Sequence, residues 1–227
     1  MAAIDLTGIR AVVFDTDGVV TDTARVHAAA WKSVFDPYLR GRSEPFDVRE
    51  DYLRHVDGRT RLDGVRTFLG SRGLAPSEED VAALGAAKDR IFVEQIERYG
   101  VAAFPSAVVL LRELRRRGSR TGAVSASVHC RKVVTAAGLM HLFDVVVDGR
   151  HDQPGPASFD EAAKLLDLRP DEVAVVGDTL PGIAAAGRGG FGLIVAVDRA
   201  GLSFKELGAD MVIADLAELD VTGRVRL

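Results

Sequence analysis

Two aspartates separated by one residue close a short apolar run: Ala11-Val12-Val13-Phe14 leads into Asp15-Thr16-Asp17-Gly18. In an extended chain, residues i and i+2 point to the same side. Two carboxylates placed so repel each other, and a hard cation such as Mg²⁺ relieves the repulsion. One of them could attack an electrophile, as in aspartyl-phosphate enzymes, while the other moves protons. Taken alone, D-x-D-G reads equally well as a strand ending in an acidic turn, since Asp and Gly are common turn residues. Two further strand ends add weight. Thr121-Gly122-Ala123-Val124 runs into Ser125-Ala126-Ser127, and Val173-Ala174-Val175-Val176 runs into Gly177-Asp178-Thr179. The serines supply hydroxyls, and the helix expected after them would present free backbone N–H groups to a phosphate. Ser125 or Ser127 could also simply cap that helix. Asp178 brings a third carboxylate.

These three ends meet only if their strands lie parallel with their carboxyl edges together, where open α/β sheets bind ligands. The pattern agrees. Apolar β-branched runs at 11–14, 121–124, 143–147, 173–176, 193–197 and 211–213 read as strands, the last being the final one. Helical spacing separates them at 106–117, from 127 to 138, at 157–166, at 181–186 and near 204–207. Such alternation argues an α/β, Rossmann-like parallel sheet with right-handed crossovers. Between residues 25 and 100 the spacing is helical throughout. Val26, Ala29, Ala30, Val34 and Phe35 predict a first helix ending at Pro37, and a short one carries Tyr52, Leu53 and Val56. A third carries Leu62, Val65, Phe68 and Leu69, and a fourth starts behind Ser77 as N-cap. The expected organisation is a core of 1–22 and 101–227 with a helical domain, 23–100, inserted after the first catalytic strand.

The 227 residues carry a net charge of −4, which gives no general electrostatic support for a nucleic-acid or anionic-membrane partner. The single basic run, Arg115-Arg116-Arg117, precedes Gly118 and suits a helix C-terminus. The lone cysteine, Cys130, excludes an internal disulfide and reads as a small core or site-edge residue. No apolar run approaches the ~18 residues a membrane helix needs. A cytoplasmic monomer is expected.

The motifs D-x-D-G-V-x-x-D-T, then S-A-S, then G-D-T-x-x-G-I resemble those of the haloacid dehalogenase superfamily, and span the chain. The opening segment from Phe14 to His27, with Trp31-Lys32, is similar to its β-phosphoglucomutase-like subgroup. The resemblance implies a Mg²⁺-dependent phosphotransferase interconverting sugar 1-phosphate and 6-phosphate. It implies Asp15 as nucleophile and Asp17 as general acid and base. Asp15, Asp178 and the Asp17 carbonyl would hold the metal. Ser125, Ala126 and Ser127 would bind the transferring phosphate. It further implies Thr23 at the hinge, His27 against Asp17, Arg61 on the distal phosphate and Lys88 near the sugar.

The chain departs from the pattern in three places. Gln153 stands before Pro154-Gly155-Pro156 where the family has a lysine, leaving Arg150, His151 or Lys132 to supply the charge. Gly177 precedes Asp178 where the subgroup has glutamate, and Val128-His129 replaces a basic residue followed by asparagine. Fewer neutralising groups would slow phosphoryl transfer. The competing expectations are therefore a small-molecule phosphatase and a weakened member that binds a sugar phosphate or protein.

Overall fold

The computed structural model describes residues 2–149 and 159–225. After β1 (Ala2–Asp5) comes β2 (Ala11–Asp15), whose five residues are all buried. Three helices follow: α1 (Ala24–Leu39), α2 (Arg61–Ser71) and α3 (Glu78–Tyr99), with a π-helical turn Tyr52–Val56 between the first two. The chain then alternates through α4 (Pro105–Arg116), β3 (Arg120–Val124), α5 (Cys130–Ala136), β4 (Val145–Val147), α6 (Phe159–Leu165) and β5 (Val173–Gly177). It ends through α7 (Leu180–Gly189), β6 (Leu193–Val197), β7 (Met211–Ile213) and β8 (Leu219–Thr222).

Six strands form one parallel sheet in the order β4-β3-β2-β5-β6-β7. Its strands read as continuous apolar runs because both faces are covered. Val12 and Phe14 enter one core cluster with α4, while Ala11 and Val13 enter the other with α6 and α7. The chain builds outward from β2 through β3 to β4, then crosses back to β5. That reversal is where such sheets open a ligand crevice. Asp15 pairs in register with Val124, and Phe14 with Val176. Asp15, Ser125 and Asp178 thus leave the same edge.

The helical segment has its own core around Trp31, Phe35, Phe46, Phe68 and Leu84. It is fastened to the sheet side where Phe92 and Ile96 meet Val133 of α5. Two details differ from the sequence reading. Helix α1 runs past Pro37 to Leu39, because Phe35 and Leu39 share a buried face that offsets the one helix bond a proline removes. Met211–Ile213 is not the last strand: β8 pairs in parallel with β1 to make a separate two-stranded sheet. Its alternation of two buried with two exposed residues is too short to stand out, and pairing with β1 creates it. The expected start of α6 at 157 lies outside the described residues.

Candidate active site

Asp17 is the most heavily constrained carboxylate at the sheet edge. After β2 the chain folds into a turn in which Gly18 N–H donates to the Thr21 carbonyl at 2.8 Å and Thr21 N–H to the Thr16 carbonyl at 2.9 Å. Gly18 takes φ 85°, a left-handed conformation that suits glycine. The turn aims Asp17 at β3, where Ser125 Oγ donates to its Oδ2 at 2.7 Å. Thr23 Oγ1 donates to Oδ1, and His27 Nε2 lies 3.3 Å from the same oxygen. Thr23 occupies the N-cap position of α1 but makes no side-chain cap, since its hydroxyl is committed to Asp17. Burial raises the Asp17 carboxyl, but His27 beside it and the Thr23 and Ser125 hydroxyls outweigh it and hold Asp17 below the usual carboxylate range.

Behind His27 stands Lys88 from α3. Its Nζ is 2.7 Å from His27 Nδ1 and lies over the rings of Trp31 and Phe92. Burial, then the Lys88 charge, lowers His27 to about 4, and burial lowers Lys88 to about 7. His27 stacks on Phe92 at 3.9 Å, which fixes its ring. A chain of contacts thus runs from α3 through α1 to the core aspartate.

A cavity of ≈ 60 Å³ brings together Asp15, Asp17, His27, Arg61, Lys88, Ser125, Ala126 and Ser127. Thr23 sits behind Asp17, and Asp178 lines a neighbouring cavity of ≈ 300 Å³. Arg61 reaches the first cavity while ion-paired with Asp89. The serine segment differs from expectation: helix α5 begins only at Cys130, after a turn. Ser127 N–H donates to Ser125 Oγ at 2.9 Å and His129 N–H to Ser127 Oγ at 3.2 Å, so two of the N–H groups are already used. No acceptor among the described residues takes the Ala126 N–H. Cys130 is buried beside Thr16, with its thiol raised by loss of water, which suits a packing role.

Burial, then the charges of Asp17 and Asp57, pushes Asp15 well above the ordinary carboxylate range. Burial, then Asp57 and Asp15, does the same to Asp178. Asp178 Oδ1 is buried with no hydrogen-bond partner. Among the described residues no three Asp, Glu, His or Cys side chains could by themselves hold a metal. Mg²⁺ does not require three, since one or two carboxylates with waters and phosphate oxygens commonly suffice. The Asp17 side chain is occupied by its donors, leaving its main-chain carbonyl. Two mutually repelling carboxylates with an orphaned oxygen therefore fit a hard cation.

Several groups were not legible beforehand. Asp57 lines both cavities together with Tyr52 and is raised by burial to about 7. In sequence Asp57-Gly58-Arg59-Thr60-Arg61 reads as a turn and resembles the family's cap loop, with a role for Arg61 but none for Asp57. Arg199, beyond β6, donates to the Gly18 carbonyl at 2.5 Å and partly offsets the charge on Asp178. Lys132 is ion-paired with Glu97 across α5 and α3, outside the residues lining the first cavity. Arg150, His151 and Gln153 lie outside the described residues.

A parallel sheet with aspartates at the end of its central strand, a serine on the next and a helical insert above defines the class. The chain belongs to the haloacid dehalogenase-like hydrolase family, whose model matches residues 9–190. Within that family it falls in the β-phosphoglucomutase-like subgroup. It is 38% identical over 239 residues to a β-phosphoglucomutase of Mycobacterium bovis, covering 93% of this chain and 91% of that one. A β-phosphoglucomutase structure from Clostridium difficile shares the fold, with TM-score 0.76, 24% identity and 93% of each chain covered. A trehalose-phosphate phosphatase of Mycobacterium leprae is 37% identical over 129 residues, which is 54% of this chain and 30% of that protein. The family makes this chain an enzyme. Among the described residues no helix is long and apolar enough to cross a membrane.

Proposed function

We propose that the protein is a phosphomutase that moves a phosphoryl group between the 1- and 6-positions of a sugar phosphate through phospho-Asp15. Residues 23–100 act as its cap. The observation that carries the reading is the hold on Asp17: Ser125 from the core and His27 from the cap side, both at a cavity shared with Asp15, with Thr23 behind.

The cycle starts with phosphate on Asp15 and Asp17 ionised, the form its donors favour. A sugar hydroxyl passes its proton to Asp17 as its oxygen attacks phosphorus, freeing the Asp15 carboxylate and giving a bisphosphate. The bisphosphate turns end for end. Asp15 then attacks the other phosphorus, and Asp17 returns the proton to the departing sugar oxygen. Ser125 and the Ala126 N–H face the transferring phosphate, with Ser127 completing their turn. Arg61 exchanges Asp89 for the distal phosphate, and Lys88 supports the sugar side through His27. Asp15, Asp178 and the Asp17 main-chain carbonyl would hold Mg²⁺, which would supply the positive charge that lets an anion approach a phosphate. Closure of the cap keeps water from taking the phosphoryl group.

Incubation with β-glucose 1-phosphate, Mg²⁺ and a bisphosphate primer should yield glucose 6-phosphate with little free phosphate. Free phosphate as the main product would overturn the mutase reading. It would instead support a phosphatase, which the phosphatase relative and Gly177 in place of a second carboxylate favour.

A further inference from the structure

One carboxylate of the helical insert, Asp57, lines both the cavity of Asp15 and Asp17 and the cavity of Asp178. Asp57 ends the π-helical turn, and Gly58 follows at φ 68°. A Cβ on Gly58 would stand 2.6 Å from Thr179 Oγ1, so the loop touches the core residue next to Asp178 with no space for a side chain. Tyr52 and Asp57 line both cavities. They border Asp15 and Asp17 in the first cavity and Asp178 in the second. Like charges so gathered disfavour one another, and each of Asp15, Asp57 and Asp178 is raised by its anionic neighbours. Arg59 pairs with Asp63, Arg61 with Asp89, and Lys88 contacts His27. Asp178 Oδ1 stays buried with no hydrogen-bond partner.

We infer that Asp57 is a positioning residue that couples seating of the cap to divalent-cation binding. It is the anion the cap carries onto the core aspartates, stable there when a cation lies among them. The inference rests on the reading that Asp15 and Asp178 hold Mg²⁺. Linkage makes the coupling reciprocal: a cation that favours the seated cap is itself bound more tightly by it. Removing the Asp57 charge leaves both seating and cation affinity uncoupled.

The protein contains one tryptophan, Trp31, and it lines the first cavity. Acrylamide quenching of its fluorescence reports whether the cap is seated, and calorimetry with Mg²⁺ alone reports affinity; neither needs turnover. In the wild type, quenching should fall on adding Mg²⁺. In Asp57→Asn it should be low with or without Mg²⁺, and the Mg²⁺ Kd should rise roughly 10- to 100-fold, the usual effect of losing an outer-sphere carboxylate. Gly58→Ala, which cannot approach Thr179, should leave Trp31 accessible throughout and bind Mg²⁺ as weakly as Asp57→Asn. Wild-type Mg²⁺ affinity and quenching response in a folded Asp57→Asn protein would overturn the coupling while leaving the metal reading intact. No Mg²⁺ binding by the wild type would overturn both.

Discussion

Ser125 Oγ donates to Asp17 Oδ2 at 2.7 Å, joining two strand ends 108 positions apart in the chain. The bond ties the second strand end of the sheet to the first and helps keep ionised the group proposed to accept a proton. Hydrogen bonds to a carboxylate contribute about 1.5–3 kcal/mol. Ser125→Ala should therefore let Asp17 rise toward the ordinary carboxylate range, and the lost orientation of Asp17 should lower kcat by about 10- to 100-fold. The acid limb of the kcat–pH profile should move to higher pH, because a base with a higher pKa is lost to protonation earlier. An unchanged limb would show that Asp17 is not the base.

Asp15→Asn should abolish turnover and the hydroxylamine-sensitive phosphoenzyme. Its stability should also change in a definite direction. The folded pKa of Asp15 is raised above its unfolded value, so its contribution is fully present below pH 4 and is lost as pH rises through the folded pKa. In chelator, the wild type should lose more Tm between pH 4 and pH 8 than Asp15→Asn does. Thermal melts at the two pH values check this.

Lys88 is 4% exposed and is lowered by burial to about 7. Its unfolded form keeps the proton until about pH 10.5. Between these values the unfolded state binds more protons, so wild-type stability should rise with pH. Lys88→Met removes the term. Its stability relative to wild type should be greatest below pH 7 and decline toward pH 10, by a few kcal/mol at most given 1.36 kcal/mol per pKa unit. Urea unfolding at pH 6.5 and 9.5 measures the difference.

Gly18 is held at φ 85°, and a Cβ there would stand 2.1 Å from Asp178 Oδ2. Gly18→Ala should displace Asp178 and strain the turn, lowering stability by about 1–3 kcal/mol. Mg²⁺ affinity should fall with it. A variant with wild-type calorimetric affinity would remove Asp178 from the metal site.

The sheet was legible because burial on both faces forces continuous β-branched runs, and such runs survive without knowledge of neighbours. The N-cap at Ser77 was equally local: its side chain accepts from the Asp80 N–H, three residues on. The pairing of β1 with β8 was not legible, since four residues of weak alternation become a strand only when a partner more than 200 residues away supplies the bonds. The serine segment was not fully legible, because its N–H groups are partly consumed by its own hydroxyls, a competition that the tertiary structure decides.

By itself the sequence determined the strand order of chemistry: Asp15 and Asp17 first, Ser125 second, Asp178 third, with helices in between. Each is a short-range property, a polar group at the end of an apolar run. The tertiary structure alone decided which of these groups share a cavity, that Asp17 is held as an anion, and that Asp57 joins them from a distant loop. Those outcomes depend on distances across strands and between helical insert and sheet, and charge–charge energies fall or rise with that separation rather than with position along the chain.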